Sequence, residues 1–203
     1  DNVDIIMISE TKNDKSFPSN QFIMDGYSPP FRLDRNDHGG GIIVYIRDDI
    51  PCKEIKTYDL PHDVEGIFIE INLRTSKWIL IGGYNPEKNY ISYFLNHIWK
   101  QLDNLIITYD NIILLGDLNS CLTENNMINF CDTYNLTNLI NEPTCYKNME
   151  NPSSIDVILT NRKKSFCNSS ALETGLSDHH KMTVTVLKTY LKKRACYRPL
   201  SCL

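Results

Sequence analysis

Residues 112–119 read Ile-Ile-Leu-Leu-Gly-Asp-Leu-Asn: four aliphatic side chains in a row, a glycine, then an acid and an amide two positions apart. An uninterrupted apolar string between Asn111 and Gly116 escapes water only as a short strand covered on both faces, as in a layered α/β domain. Asp117 is then expected just past the carboxyl end of that strand. Side chains two apart on extended backbone point the same way, so Asp117 and Asn119 address one point in space. That point is a candidate active site, although an Asx-turn closing the strand accounts for the same residues on this stretch alone.

The chain has 203 residues, enough for one sizeable domain with a real core. With 41% hydrophobic and 23% charged residues it is an ordinary globular composition, which excludes a disordered or fibrous chain. It opens abruptly at Asp1 rather than Met, and the natural N-terminus is expected to be missing. No stretch approaches the roughly 18 consecutive apolar residues of a membrane span, and no basic segment precedes an apolar one as in a secretion signal. The seven cysteines are scattered without a C-x-x-C pair, which reads as reduced thiols of an intracellular protein, nuclear or cytoplasmic. A net charge of −4 argues against a general polyanion binder, unless a local basic surface or a divalent cation in an acidic site reverses it.

Taken in order, Val3 to Ile8 reads as a strand ending at Ser9-Glu10-Thr11, so Glu10 follows an apolar strand as Asp117 does. Residues 11–40 are polar and turn-rich and read as a long surface loop that ends in Gly39-Gly40-Gly41 before a strand at Ile42–Ile46. Ile67, Ile69, Ile71 and Leu73 alternate with Phe68, Glu70 and Asn72, which predicts a half-exposed strand. Trp78–Ile81 is its expected hairpin partner, followed by Gly82-Gly83-Tyr84-Asn85-Pro86. Ile91, Phe94, Leu95, Ile98, Leu102 and Leu105 keep helical spacing and predict an amphipathic helix that feeds the 112–115 strand. A shorter helix is expected at about 124–134, then strands at Ile155–Leu159, Phe166–Leu172 and Met182–Leu187. Asp156, set in an apolar strand, needs a partner, because burying a carboxylate unpaired costs several kcal/mol.

Five polar groups thus stand at strand ends: Glu10; Tyr84; Asp117 with Asn119; Asp156; and Asp178 with His179. Layered α/β folds place ligands outside strand ends, so these groups can share one cavity. Carboxylates without a thiol or histidine-rich set suit a hard, oxygen-liking ion, Mg²⁺ or Mn²⁺. Asp156 and His179 are the residue types of an orienting carboxylate and its imidazole. Metal, acid, imidazole and amide together are what phosphoester hydrolysis requires. Taken singly, Tyr84 also fits a core tyrosine and Glu10 a solvent-facing acid. Lys12, Arg32, Arg35, Arg47 and Arg162-Lys163-Lys164 are candidates for a phosphate groove, against the default of a solvated face.

Ser9-Glu10-Thr11, Tyr84-Asn85-Pro86, Gly116-Asp117-Leu118-Asn119, Ser154-Ile155-Asp156 and Ser177-Asp178-His179, in this order and over nearly the whole chain, resemble the endonuclease/exonuclease/phosphatase superfamily, which includes pancreatic deoxyribonuclease and the apurinic-site endonucleases. More narrowly, Gly39–Ile46, the Pro143-Thr144 turn and Ile155–Asn161 resemble the endonuclease domain of non-LTR (LINE-type) retrotransposons, which nicks target DNA and is followed in its chain by a reverse transcriptase. The resemblance implies a four-layer α/β sandwich with two packed, mostly antiparallel mixed sheets flanked by helices, spanning 1–188; the residues 189–203, with Lys192, Lys193, Arg194 and Arg198, read as a basic exit segment. It implies Glu10 and Asp178 as metal ligands, Tyr84, Asn85 and Asn119 at the phosphate, Asp117 activating water, and Asp156 paired with His179. His180 is a rival for the ring, though adjacency to Asp178 favours His179. The family's first strand, which carries a site asparagine, has no counterpart here. A divalent-metal DNA endonuclease is therefore expected. The alternatives are a phosphodiesterase or phosphatase acting on RNA, nucleotides or inositol or lipid phosphates, and a decayed copy that only binds nucleic acid.

Overall fold

The aliphatic run becomes the interior of a strand, Asn111–Asp117, near the middle of a six-stranded sheet. The computed structural model describes residues 3–36, 39–57, 60–73, 76–86, 90–175 and 181–188. Among these the strands are β1 (Ile5–Ser9), β2 (Phe31–Leu33), β3 (Ile42–Ile46), β4 (Cys52–Glu54), β5 (Glu65–Leu73), β6 (Ser76–Tyr84), β7 (Asn111–Asp117), β8 (Thr137–Asn138), β9 (Asp156–Thr160), β10 (Phe166–Glu173) and β11 (Lys181–Leu187). The α-helices are α1 (Ile91–Leu105) and α2 (Asn125–Thr133).

The large sheet runs β4-β5-β6-β7-β9-β8, and β1-β3-β2 and β10-β11 form smaller sheets. Only β6 and β7 run parallel among these pairs, since α1 carries the chain back across the sheet between them. Strand alternation sends Ile112 and Leu114 to one face, where Phe68, Ile79 and Ile81 also point and α1 and α2 pack. It sends Ile113 to the other face, with Ile69, Leu80 and Ile158, against Ile42, Val44 and Ile46 of β3 and Phe166 and Ala171 of β10. Outside β3, Tyr27 packs edge-on against Tyr45, and Arg32 lies over the ring of Phe22 in a 3₁₀ turn. The result is a layered, mostly antiparallel α/β sandwich.

The α1 pattern works as its spacing requires: Ile91, Phe94, Leu95, Ile98 and Leu102 are buried while Lys100 and Asp103 face solvent. Each large apolar side chain so buried contributes about 1.5–3 kcal/mol, more than helix propensity supplies.

Two expectations change. The 67–73 strand is not half exposed: Phe68 and Glu70 are 1% and 5% exposed, because α1 covers Phe68 and the Tyr109 hydroxyl donates to Glu70. Period-2 alternation with a polar residue on one face also describes a strand whose polar residue has a buried partner. The 11–40 loop is interrupted by a 3₁₀ turn (Ser19–Phe22) and by β2, whose Phe31 and Leu33 pair with Val44 and Ile42. Three residues after Pro29-Pro30 are too few to show a period. The described cysteines are free thiols, and among the described residues no helix is long and apolar enough to cross a membrane. The 189–203 segment lies outside the described residues.

Candidate active site

Register brings the strand-end groups together. Tyr84 is opposite Asp117 across β6–β7, Asp117 is opposite Asp156 across β7–β9, and Glu65 is opposite Tyr84 across β5–β6. Cross-strand partners share a face, so one end of the large sheet carries four polar side chains in a row. β1 runs over this face, with contacts to β6 and β7, and delivers Glu10 at the same end, where its Oε1 accepts the Tyr84 hydroxyl.

Tyr84 is 4% exposed. Burial raises its phenol well above the ordinary tyrosine range, and the Glu10 hydrogen bond and the charges of Glu10, Asp117 and Glu65 push the same way. The phenol therefore stays protonated, as a donor. Glu10 itself is solvent-accessible and has left-handed backbone (φ 53°), as does Lys12 (φ 54°). For residues with a long side chain this conformation costs on the order of 1–3 kcal/mol and persists only where neighbours impose it. Here the Thr11 and Lys12 N–H groups donate to the Gly41 and Gly40 carbonyls at 3.3 and 2.9 Å.

Asp117 is 3% exposed and ends β7 rather than following it. Its Oδ1 accepts the Asn119 backbone N–H at 2.9 Å and its Oδ2 lies 3.4 Å from Asn119 Nδ2. The Asx-turn and the convergent pair are thus one structure, with Asn119 at φ 45°, a region asparagine tolerates. Gly116 is required because a Cβ there would run into the Gly83 backbone of β6. Asn85, expected at the phosphate, is 1% exposed, and its Nδ2 donates to the Leu118 carbonyl at 3.0 Å while its backbone carbonyl accepts from Asn119 Nδ2. Its side chain is built into the turn that presents Asn119.

Asp156 is the half-buried first residue of β9, not the interior acid its flanking residues suggested. Its backbone N–H donates to Thr144 Oγ1 at 3.2 Å, as does that of Ile155 at 3.3 Å. Thr144 is fully buried. Thr144 and Glu65 are site residues that no strand-end pattern marks; the Pro143-Thr144 turn is the one local signal for the first, and nothing local marks the second. Asp178, His179 and His180 lie outside the described residues.

The candidate phosphate groove shrinks. Arg32 is held by Asp34, Arg35 by Glu65, and Arg47 by Asp4 and Asp49 at the far end of β3. Arg162–Lys164 follow the other end of β9, where Arg162 donates to Asn111. Lys12 remains beside Glu10. Three carboxylates around Tyr84 would repel a phosphate diester, so a cation is needed to bring one in. Among the described residues no three His, Cys, Asp or Glu side chains cluster as a closed metal cage. One accessible carboxylate among oxygen and amide groups nevertheless fits Mg²⁺, which is commonly held by one or two carboxylates plus water and substrate phosphate.

The model of the Endonuclease/Exonuclease/phosphatase family matches residues 1–179. The comparison with curated proteins finds no match. Among solved structures, the fold is similar to the endonuclease domain of TRAS1, a telomere-specific non-LTR retrotransposon, at 16% identity over 94% of this chain and 87% of that one, with a TM-score of 0.68. It is also similar to the 3′ phosphatase NExo from Neisseria bound to product DNA hairpin (14% identity, 91% and 88% covered, TM-score 0.64). A third likeness is to an AP endonuclease from Archaeoglobus fulgidus (15% identity, 91% and 88% covered, TM-score 0.64). Identities this low speak to the fold.

Proposed function

The chain belongs to the endonuclease/exonuclease/phosphatase family, whose members are hydrolases acting on phosphodiester bonds and generally use divalent metals, and we propose that it is a Mg²⁺- or Mn²⁺-dependent DNA endonuclease of retroelement type that nicks target DNA. The observation that carries this is the meeting of Glu10, Tyr84, Asp117, Asn119 and Asp156 at one end of the sandwich. The likeness to a retrotransposon endonuclease domain supports the choice of substrate.

Glu10 and Asp178 would hold the cation, which when bound neutralises phosphate charge and acidifies water. Tyr84 has one phenolic proton, and a bound phosphate oxygen competes for it with Glu10. Asn119 can turn to the phosphate the amide N–H that it otherwise directs over 3.4 Å to Asp117 Oδ2, while the other stays on the Asn85 carbonyl. Asp117, anchored by the Asn119 N–H, orients the attacking water and draws on its proton. The resemblance pairs Asp156 with His179, and in this reading the carboxylate would orient the imidazole, which would act as base or steady the charge of the transition state. The water oxygen bonds to phosphorus as the ester bond to the leaving oxygen breaks, and that oxygen takes up a proton.

The test is nicking of supercoiled plasmid DNA in Mg²⁺, lost in EDTA and in Glu10→Gln. Nicking that persists after chelation removes the metal mechanism. Faster hydrolysis of RNA, a nucleotide or an inositol phosphate moves the substrate, and DNA binding without cleavage makes the protein a binding remnant.

A further inference from the structure

Two left-handed residues flank Thr11, and the groups that impose this conformation lead away from the site to a buried ion pair. The carbonyls that accept the Thr11 and Lys12 N–H groups belong to Gly40 and Gly41, themselves at φ 74° and 92°. That turn is gripped in turn. Glu65 Oε2 accepts the Gly41 N–H at 2.5 Å, Glu65 Oε1 accepts Arg35 Nη1 at 2.8 Å, and Arg35 Nε donates to the Gly39 carbonyl at 2.9 Å. Glu65 is 1% exposed, and a Cβ on Gly40 would collide with its carboxylate and with the Arg35 guanidinium. Glu65 also stands opposite Tyr84, whose hydroxyl meets Glu10. The contacts close a ring: Glu65, glycine turn, Thr11 and Lys12, Glu10, Tyr84, and back to Glu65 across the β5–β6 pair.

An ion pair whose carboxylate is this deeply buried is a poor source of stability, since desolvation of Glu65 offsets much of its Coulomb attraction to the half-buried Arg35. Its oxygens and nitrogens are spent on backbone groups of one turn, and that turn's carbonyls hold the main chain on the far side of Glu10.

We propose that Glu65 and Arg35 are positioning residues for Glu10: the pair clamps Gly39–Gly41, and the clamped turn holds the backbone that aims the Glu10 carboxylate. The proposal rests on the assignment of Glu10 as a metal ligand. Groups that orient a ligand in this way typically change metal affinity by about 10- to 100-fold when removed.

The test uses the whole 203-residue chain, amide hydrogen exchange in metal-free protein, and Mn²⁺ binding by calorimetry. In Glu65→Ala the Thr11 and Lys12 amides exchange faster while those of Leu114 and Leu115 in β7 do not, and Mn²⁺ binds about tenfold more weakly. Glu65→Gln, which keeps an acceptor for Gly41, recovers most of that loss. On a Glu10→Gln background the Glu65→Ala change costs less than about twofold, because it acts through Glu10. If Glu65→Ala does not fold, Arg35→Met releases the clamp at a side chain 28% exposed. Unchanged exchange at Thr11 and Lys12, or Mn²⁺ losses that multiply across Glu10 and Glu65, overturns the proposal. Should the parent chain neither bind Mn²⁺ nor nick DNA, the metal assignment of Glu10 fails, and exchange alone decides whether the clamp holds its backbone.

Discussion

Asp117 and Asp156 are direct cross-strand partners in the antiparallel β7–β9 pair, two carboxylates on one face of the sheet. Like charges directly opposite one another oppose sheet formation. A sheet selected for stability alone would not place them so. Asp117→Asn is therefore expected to gain about 0.2–1 kcal/mol, a rise of no more than about 4 °C in Tm, while turnover falls at least about 100-fold. Thermal melts and plasmid nicking on the same preparation check this; a fall in both stability and activity would mean that Asp117 is chiefly structural.

Tyr84→Phe keeps the buried ring and removes only the hydroxyl that Glu10 accepts. Glu10 is solvent-accessible and can turn to water, so stability should change by less than about 1 kcal/mol. Turnover should fall much further than the fraction folded. Equal nicking rates for Tyr84→Phe and parent would return Tyr84 to the core and remove it from the site.

Asp156→Asn and His179→Ala are each expected to cut turnover by about 10²- to 10⁴-fold, and the double variant should be little worse than the worse single one. Groups that act as a unit lose their joint contribution when either goes. Additive losses would separate them and return His180 as a candidate ring. Far-UV spectra of all three variants must match the parent, because Asp156 opens a strand whose N–H groups are tied to Thr144.

Glu70 gives the fold a pH dependence of known sign. The Tyr109 hydroxyl, then the Asn72 amide, hold its carboxyl at about 2, below the ordinary 4.5. The charged form is favoured by folding, so the contribution is complete above 4.5 and is lost as pH falls from there to about 2. Glu70→Gln should be less stable than the parent at pH 7 by about 1–2 kcal/mol, and urea midpoints should show the gap closing in that acid window. A gap that stays constant with pH would mean that Glu70 acts by packing alone.

Gly116→Ala adds one methyl group where the Gly83 backbone already stands. Nothing flexible is there to yield, so β6 and β7 must separate at the end that carries Tyr84 and Asp117. A loss of at least about 3 kcal/mol is expected, by denaturant unfolding, with loss of nicking in whatever remains folded. Ordinary stability in this variant would show that the close pairing is dispensable.

Much of the candidate site was legible because Glu10 and Asp117 stand where an apolar strand stops and Asp156 is set among apolar residues. Glu10 after Ile5–Ser9 and Asp117 at the end of 111–117 are marked by where hydrophobicity stops. Thr144 and Glu65 carry no such mark. One lies in a turn and the other begins a strand, and each is important through backbone N–H groups far away in sequence, those of Ile155 and Asp156 and that of Gly41.

Short unbroken apolar runs by themselves determined the strands at 42–46 and 111–117 and the acid where the second one stops, and a 3.6-residue period determined helix α1, because both signals are local and show in any short window. Tertiary structure alone decided which strand ends meet. Register between β5, β6, β7 and β9 is set by pairings between segments distant in the chain, and a slip of one residue would turn Tyr84, Asp117 and Asp156 to the opposite face. The same pairings decided that Glu70 is buried, that Arg162 lies at the wrong end for a phosphate, and that Arg35 reaches Glu65 instead of solvent. A charge shows its type in sequence, but its partner is chosen by the fold that brings the two within about 3 Å.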